Sequence, residues 1–308
     1  MRKNDNLSTL CCTNHTFYAL GGPGAIRCEG RPAELRSIVQ TATRKLADFE
    51  QKYSRYLPNS VVSRINAGAG NGKLIKLDQQ SCGLLNYAFS CYEQSDGLFD
   101  ITSGILREVW NFKGTAPPKH EEIQALLPLI GLPQLIWNEP HVALPKAGME
   151  IDFGGFGKEY AADMLAQYCY QAGVEHGLVE LAGDIAVIGP PTVGAGWPIG
   201  ISNPVTPSQP IAEVSLQHGG LATSGTYERF IEHAGKRYSH ILNPSTGWPV
   251  DSWAGLTVIA DSCLLAGTLS TIALLKGKLE GRAWLEQLGV SFLCIADDGS
   301  VSGNLAEA

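Results

Sequence analysis

The sequence predicts an α+β fold, with mixed or antiparallel sheets flanked by helices, and three observations predict it. Apolar positions with a helical period are interspersed with runs of two-residue period, without the strict strand–helix alternation of a doubly wound sheet. No internal repeat, low-complexity segment or Pro/Ser-rich linker divides the 308 residues. Glycine is abundant, 35 residues in all, well above the usual share of about 7%. Many of these glycines stand in pairs or beside Asp, Ser or Thr, where a backbone turns sharply or lies against a ligand. The expectation is one domain over residues 15–303, preceded by a tail over residues 1–14.

The elements follow in order. A strand pattern covers 16–28 and is broken by Gly21-Gly22-Pro23-Gly24. Leu35, Ile38, Val39, Ala42, Leu46 and Phe49 share one face of a helix from Pro32 to Tyr53. A second helix is expected over 78–94, punctuated by Gly97, and a short one over 120–128. Asp152 to Gly157 is a glycine-dense turn that feeds a helix over 158–171. Strands are expected over 177–188, 198–201, 211–216, 236–242 and 254–260. Helices over 263–276 and 280–288 and a strand over 290–296 complete the pattern.

Composition narrows the function. With 23 basic against 30 acidic residues the chain carries −7, and no basic stripe offers a nonspecific phosphate surface, so no nucleic-acid partner is expected. No apolar run reaches the roughly 20 residues of a membrane span. Leu10-Cys11-Cys12 lacks the apolar segment that a lipoprotein signal places before its cysteine, and a cytoplasmic location is expected. The eight cysteines contain no C-x-x-C pair and mostly sit among apolar residues, the pattern of reduced, buried thiols.

Familiar catalytic motifs are mostly excluded. Gly154-Gly155-Phe156-Gly157-Lys158-Glu159 is too short for a Walker loop, and Glu159 stands where Ser or Thr would meet magnesium. The histidines show no zinc-ligand spacing, and Ser224 lies in no nucleophile-elbow context. Two features survive. The glycine turn before Lys158 leads into a helix N-terminus, which suits an anion, or is simply a tight connection. His240 follows a strand pattern and precedes Asn243-Pro244-Ser245-Thr246-Gly247, a rigid place for a proton acceptor or for a half-buried structural histidine.

Motif order adds a resemblance. Tyr53-Ser54-Arg55-Tyr56-Leu57-Pro58-Asn59-Ser60 with Asn66 comes first, then Gly97-Leu98-Phe99-Asp100-Ile101-Thr102 with Trp110. Ile151-Asp152-Phe153-Gly154-Gly155-Phe156-Gly157-Lys158 with Asp163 follows, then Ala182-Gly183-Asp184-Ile185. Ala222-Thr223-Ser224-Gly225 and Ser239-His240-Ile241-Leu242-Asn243-Pro244-Ser245-Thr246-Gly247 end the series. In this order the chain resembles the ApbE family of flavin transferases, which move FMN from FAD onto a Ser or Thr of an acceptor protein.

The resemblance implies FAD as substrate, Mg2+, and an acceptor flavoprotein. It implies that Tyr56 packs on a ring of the dinucleotide, that the strand Phe99, Asp100, Ile101 and Thr102 walls the pocket, and that Lys158 lies by the pyrophosphate. Asp163 would anchor adenosine, the Gly157 carbonyl and Thr271 would hold magnesium, and His240 would activate the acceptor hydroxyl. Four segments depart from the family pattern. Gly267 stands where an Asp precedes Thr271 by four residues, Glu159 and Ala182 each replace a Gly, and Leu20-Gly21-Gly22 replaces Met-Gly-Thr. Gly267→Asp is expected to tighten magnesium and raise FAD cleavage without itself disrupting a helix, since Gly is the poorer helix former. Two rival outcomes share the fold: an FAD pyrophosphatase, and a silent flavin binder that lost its metal with the Asp.

Overall fold

In a computed structural model, which describes residues 11–204, 206, 209–227 and 229–306, strand β1 (Cys11–Ala19) pairs antiparallel with β2 (Gly22–Gly30). Leu20 and Gly21 make the turn with φ of 52° and 80°. The pattern over 16–28 is therefore a hairpin, because Gly21 reverses the chain. Strand β1 also begins inside the stretch expected as a tail; residues 1–10 of that tail lie outside the described residues.

Helix α1 (Pro32–Tyr53) buries Leu35, Val39, Ala42, Leu46 and Phe49, as its period predicts. Helix α2 (Val61–Ala67) is capped by Ser60, whose Oγ accepts the Ser63 N–H at 2.9 Å. After strand β3 (Ile75–Lys76), helix α3 (Gln79–Gln94) is capped in the same way by Asp78 and ends before Gly97, which has φ 83°. Helix α4 (His120–Leu126) precedes the short strands β4 (Ile136–Asn138) and β5 (His141–Ala143). Helix α5 (Gly157–Gln171) leaves the glycine turn directly.

Residues 177–188 form two strands, β6 (Gly177–Leu181) and β7 (Asp184–Gly189), because Ala182 and Gly183 take φ of 52° and 93° and fold the run back on itself. Strands β8 (Trp197–Ser202) and β9 (Pro210–Leu216) pair with each other, and β10 (Gly220–Gly225) follows. Strand β11 (Phe230–His233) pairs with β12 (Lys236–Ser239). The latter stops short of the expected 242, since Leu242 bridges back to Pro249 around the Asn-Pro turn. Strand β13 (Gly255–Ala260), helices α6 (Cys263–Lys276) and α7 (Lys278–Leu288), and strands β14 (Ser291–Ile295) and β15 (Val301–Ser302) end the chain.

These elements group into two compact units. The first takes Met1–Glu50, Phe156–Thr223 and Thr257–Gly267; the second takes Gln51–Gly155, Ser224–Leu256 and Thr268–Ala308. The boundaries fall inside α1, the glycine turn, β10, β13 and α6, so no linker composition marks them and the sequence reads as one domain. In the first unit the strand order runs β1-β2-β6-β7-β10-β13, with α5 packed on β6 and β7. Leu178, Ile185, Trp197, Ile199, Leu216 and Leu221 form one of its core clusters. In the second unit β3-β5-β4 form a small sheet, and Leu106, Trp110, Ile123 and Ile231 form a core cluster. Six of the free cysteines are buried and Cys12 is exposed. No helix among the described residues is long and apolar enough to cross a membrane.

Candidate active site

In the first unit, the N-terminal turn of α5 and the start of β7 bring three charges together. Lys158 Nζ donates to Asp184 Oδ2 at 2.6 Å and stands 3.7 Å from Glu159 Oε1. Asp184 takes its place because the Ala182-Gly183 turn ends there, and its Oδ1 accepts the Thr223 N–H at 3.2 Å. Thr223 Oγ1 lies 2.8 Å from Thr257 Oγ1. Asp184 and Glu159 are only 2% and 6% exposed, and Glu159 Oε2 has no hydrogen-bond partner. Burial, and then the Asp184 charge, hold the Glu159 carboxyl well above the ordinary range.

Asp163, one turn further along α5, has both oxygens engaged. They accept the backbone N–H groups of Cys263 (2.9 Å) and Leu264 (2.8 Å), so Asp163 caps the start of α6.

In the second unit, Tyr56 is 78% exposed, with the Arg55 guanidinium 5.1 Å from its ring centroid. Arg55 donates to Tyr56 Oη at 3.1 Å and to Asp152 Oδ2 at 2.7 Å. Asp152 Oδ1 also accepts the Gly154 N–H at 3.0 Å, which shapes the glycine turn. Phe99, Asp100, Ile101 and Thr102 are all buried. They form a turn leading into a 3-10 helix (Ser103–Glu108), not a strand. The reason is Asp100 itself. Its Oδ1 accepts both the N–H (2.8 Å) and the hydroxyl (2.6 Å) of Thr102, and its Oδ2 accepts the Leu132 N–H at 2.9 Å. Phe99 lies flush against Gly155, where a Cβ would come within 3.0 Å of the ring.

Two more groups complete the second unit's polar surface. Ser224 Oγ lies 2.7 Å from Ser270 Oγ and 3.0 Å from Thr271 Oγ1, a cluster of three hydroxyls. His240 is half-buried, edge-on to Phe112 at 6.4 Å, and its Nδ1 is 3.2 Å from the Arg229 carbonyl. A carbonyl only accepts, so that contact puts the proton on Nδ1 and makes Nε2 the basic nitrogen of the neutral ring. The turn after it is fixed by Trp110, whose Nε1 donates to the Gly247 carbonyl at 2.8 Å.

Among the described residues no three His, Cys, Asp or Glu side chains cluster as a metal cage. The donor set nonetheless fits magnesium, which is commonly held by one or two carboxylates and keeps several waters. Glu159 Oε2 is a buried acceptor without a donor, beside the Asp184 carboxylate. The Gly157 backbone carbonyl, in the same unit, is a hard oxygen donor of the kind that ion prefers.

The ApbE family model matches residues 20–294. The chain belongs to the ApbE family. An FAD:protein FMN transferase of Klebsiella pneumoniae is 32% identical over 280 residues, which cover 89% of this chain and 85% of that protein. One from Vibrio cholerae is 28% identical over 276 residues, covering 87% and 82%. Among solved structures, the ApbE protein of Thermotoga maritima superposes with a TM-score of 0.88 at 29% identity, covering 96% of this chain and 98% of that one. The Pseudomonas stutzeri flavinyl transferase ApbE in its apo form gives 0.85 at 26%, covering 98% and 97%.

The residues named from sequence fall into two groups, each within its own unit. Gly157, Lys158 and Asp163 belong to the first, and Tyr56, Phe99, Asp100, Ile101, Thr102, His240 and Thr271 to the second. Sequence reasoning passed over Asp184 as a partner of Lys158 and Glu159 as a buried acid. Asp184 carried a signal, since an acid directly after a glycine turn opens an apolar strand. Glu159 carried none, because its burial depends on what faces it.

Proposed function

We propose that this chain is an FAD:protein FMN transferase, which passes FMN from FAD to a Ser or Thr hydroxyl of an acceptor protein and releases AMP. The observation that carries the reading is full-length similarity to proteins of that activity, together with a histidine oriented to accept a proton at Nε2. The hydroxyl oxygen bonds to the FMN phosphorus, the bond from that phosphorus to the bridging oxygen of the pyrophosphate breaks, and AMP leaves with the bridging oxygen. The hydroxyl proton goes to His240 Nε2.

Tyr56 offers an exposed ring to a flavin or adenine face, backed by Arg55. Buried Phe99, Asp100, Ile101 and Thr102 give a stiff wall, because Asp100 ties their backbone together. Lys158 brings positive charge to the glycine turn for the pyrophosphate. Asp163 contributes by holding α6 in place. Magnesium, for which the Gly157 carbonyl and Thr271 are the residues put forward, would neutralise charge on the phosphates.

The test is incubation with FAD and an acceptor protein, with and without Mg2+, followed by AMP quantification and intact-mass spectrometry of the acceptor. AMP release with an FMN mass on the acceptor is expected. FMN and AMP without an adduct would make the chain a pyrophosphatase, and no AMP at all would make it a silent binder.

A further inference from the structure

Positions 159 and 267 compete for one side-chain volume. A Cβ built on Gly267 would stand 2.5 Å from Glu159 Cγ and 3.0 Å from both Cδ and Oε1. Real Cβ atoms do not tolerate 2.5 Å, so while Glu159 keeps this place position 267 must be glycine. Gly267→Asp therefore requires the Glu159 side chain to move, whatever the helix propensity. It also follows that the Glu159 carboxylate occupies the space toward which a side chain from residue 267 would project.

What surrounds that carboxylate is unusual for a merely structural acid. It is buried, one oxygen receives no hydrogen bond, it interacts with the charges of Asp184 and Lys158, and no arginine ion-pairs with it among the described residues. Native proteins rarely leave a buried carboxyl oxygen unpartnered, and either a proton shared with Asp184 or a bound cation would satisfy this one. A single ammonium, Lys158, stands between two acids. One more positive charge would repay the desolvation of both.

We infer that Glu159, projecting from α5 into the gap left by Gly267, supplies with Asp184 the acidic ligands of a divalent-cation site, in place of a carboxylate on α6. The inference rests on the transfer reading only for the cation's purpose, since binding is measurable without flavin.

The experiment is Mn2+ titration of the full chain followed by electron paramagnetic resonance, without FAD, with thermal melts of each variant. Glu159→Gln, which keeps the shape, should weaken Mn2+ by at least about tenfold, the usual effect of losing one ligand-supporting contact. Gly267→Asp alone should lower the melting temperature and fail to tighten Mn2+. The reciprocal pair Glu159→Gly with Gly267→Asp should recover both folding and affinity. Wild-type affinity in Glu159→Gln, no saturable Mn2+ binding by the wild type, or tighter Mn2+ binding in Gly267→Asp alone would each overturn the inference. Transfer failing while Mn2+ binding behaves as stated would sink the function reading and leave this site standing.

Discussion

Asp163 on α5 accepts the backbone N–H groups of both Cys263 and Leu264, at 2.9 and 2.8 Å, and so holds the N-terminus of α6 from outside that helix. A carboxylate at this end satisfies two otherwise unpaired donors and opposes the positive pole of the helix. Asp163→Ala should cost about 1–2 kcal/mol, read as a lower urea midpoint, and Asp163→Asn should recover part of it. If Asp163→Asn kept full stability but lost FAD affinity, the residue would touch the ligand after all.

His240→Ala should lower the transfer rate by about 10²–10⁴, the usual contribution of a positioned proton acceptor, and leave FAD affinity nearly unchanged. The ring is half-buried and its Nδ1 meets the Arg229 carbonyl at 3.2 Å. Single-turnover transfer alongside flavin fluorescence titration separates the two effects. Wild-type transfer in the variant would reduce His240 to a structural role.

Tyr56→Ala should do the reverse. Its ring is exposed and lies beside the Arg55 guanidinium, so folding should not change. Loss of a stacked ring is worth about 1 kcal/mol, roughly fivefold in Kd. Tyr56→Phe should retain most of the affinity. An unchanged Kd in Tyr56→Ala would remove this ring from the flavin site.

Gly22 and Ala182 form a second pair that shares one space. A Cβ on Gly22 would fall 2.7 Å from the Ala182 Cβ, and Ala182 has φ 52°. Gly22→Thr alone should lower the urea midpoint, because its Cβ would collide with that of Ala182. Adding Ala182→Gly should recover that loss and also relieve the left-handed strain at 182. Urea unfolding of the two single variants and the double one checks this; strictly additive effects would refute the coupling.

The fold class, the long helices and the order of the motifs were legible in the sequence because each rests on local pattern. The period of α1, the Asp78 cap and the stop at Gly97 all act over a few residues. Strands β4, β5 and β11 are too short to show a period, and in β10, Gly-Leu-Ala-Thr-Ser-Gly, only Thr favours a strand. Asp100 looked like strand because its neighbours are apolar. Only the Thr102 and Leu132 donors reveal it as the hub of a turn.

The departures from the family pattern show the boundary most clearly. By itself the sequence determined that residues 22, 159, 182 and 267 are unusual, and what each one is. Only the tertiary structure decided that they are two exchanges: Gly22 against Ala182, and Gly267 against Glu159. The physical reason is that packing couples residues by shared volume. In each pair the positions lie more than a hundred residues apart in the chain, yet their side chains claim the same space, at the surface by Ala182 and in the interior by Glu159, and two groups cannot both fill it.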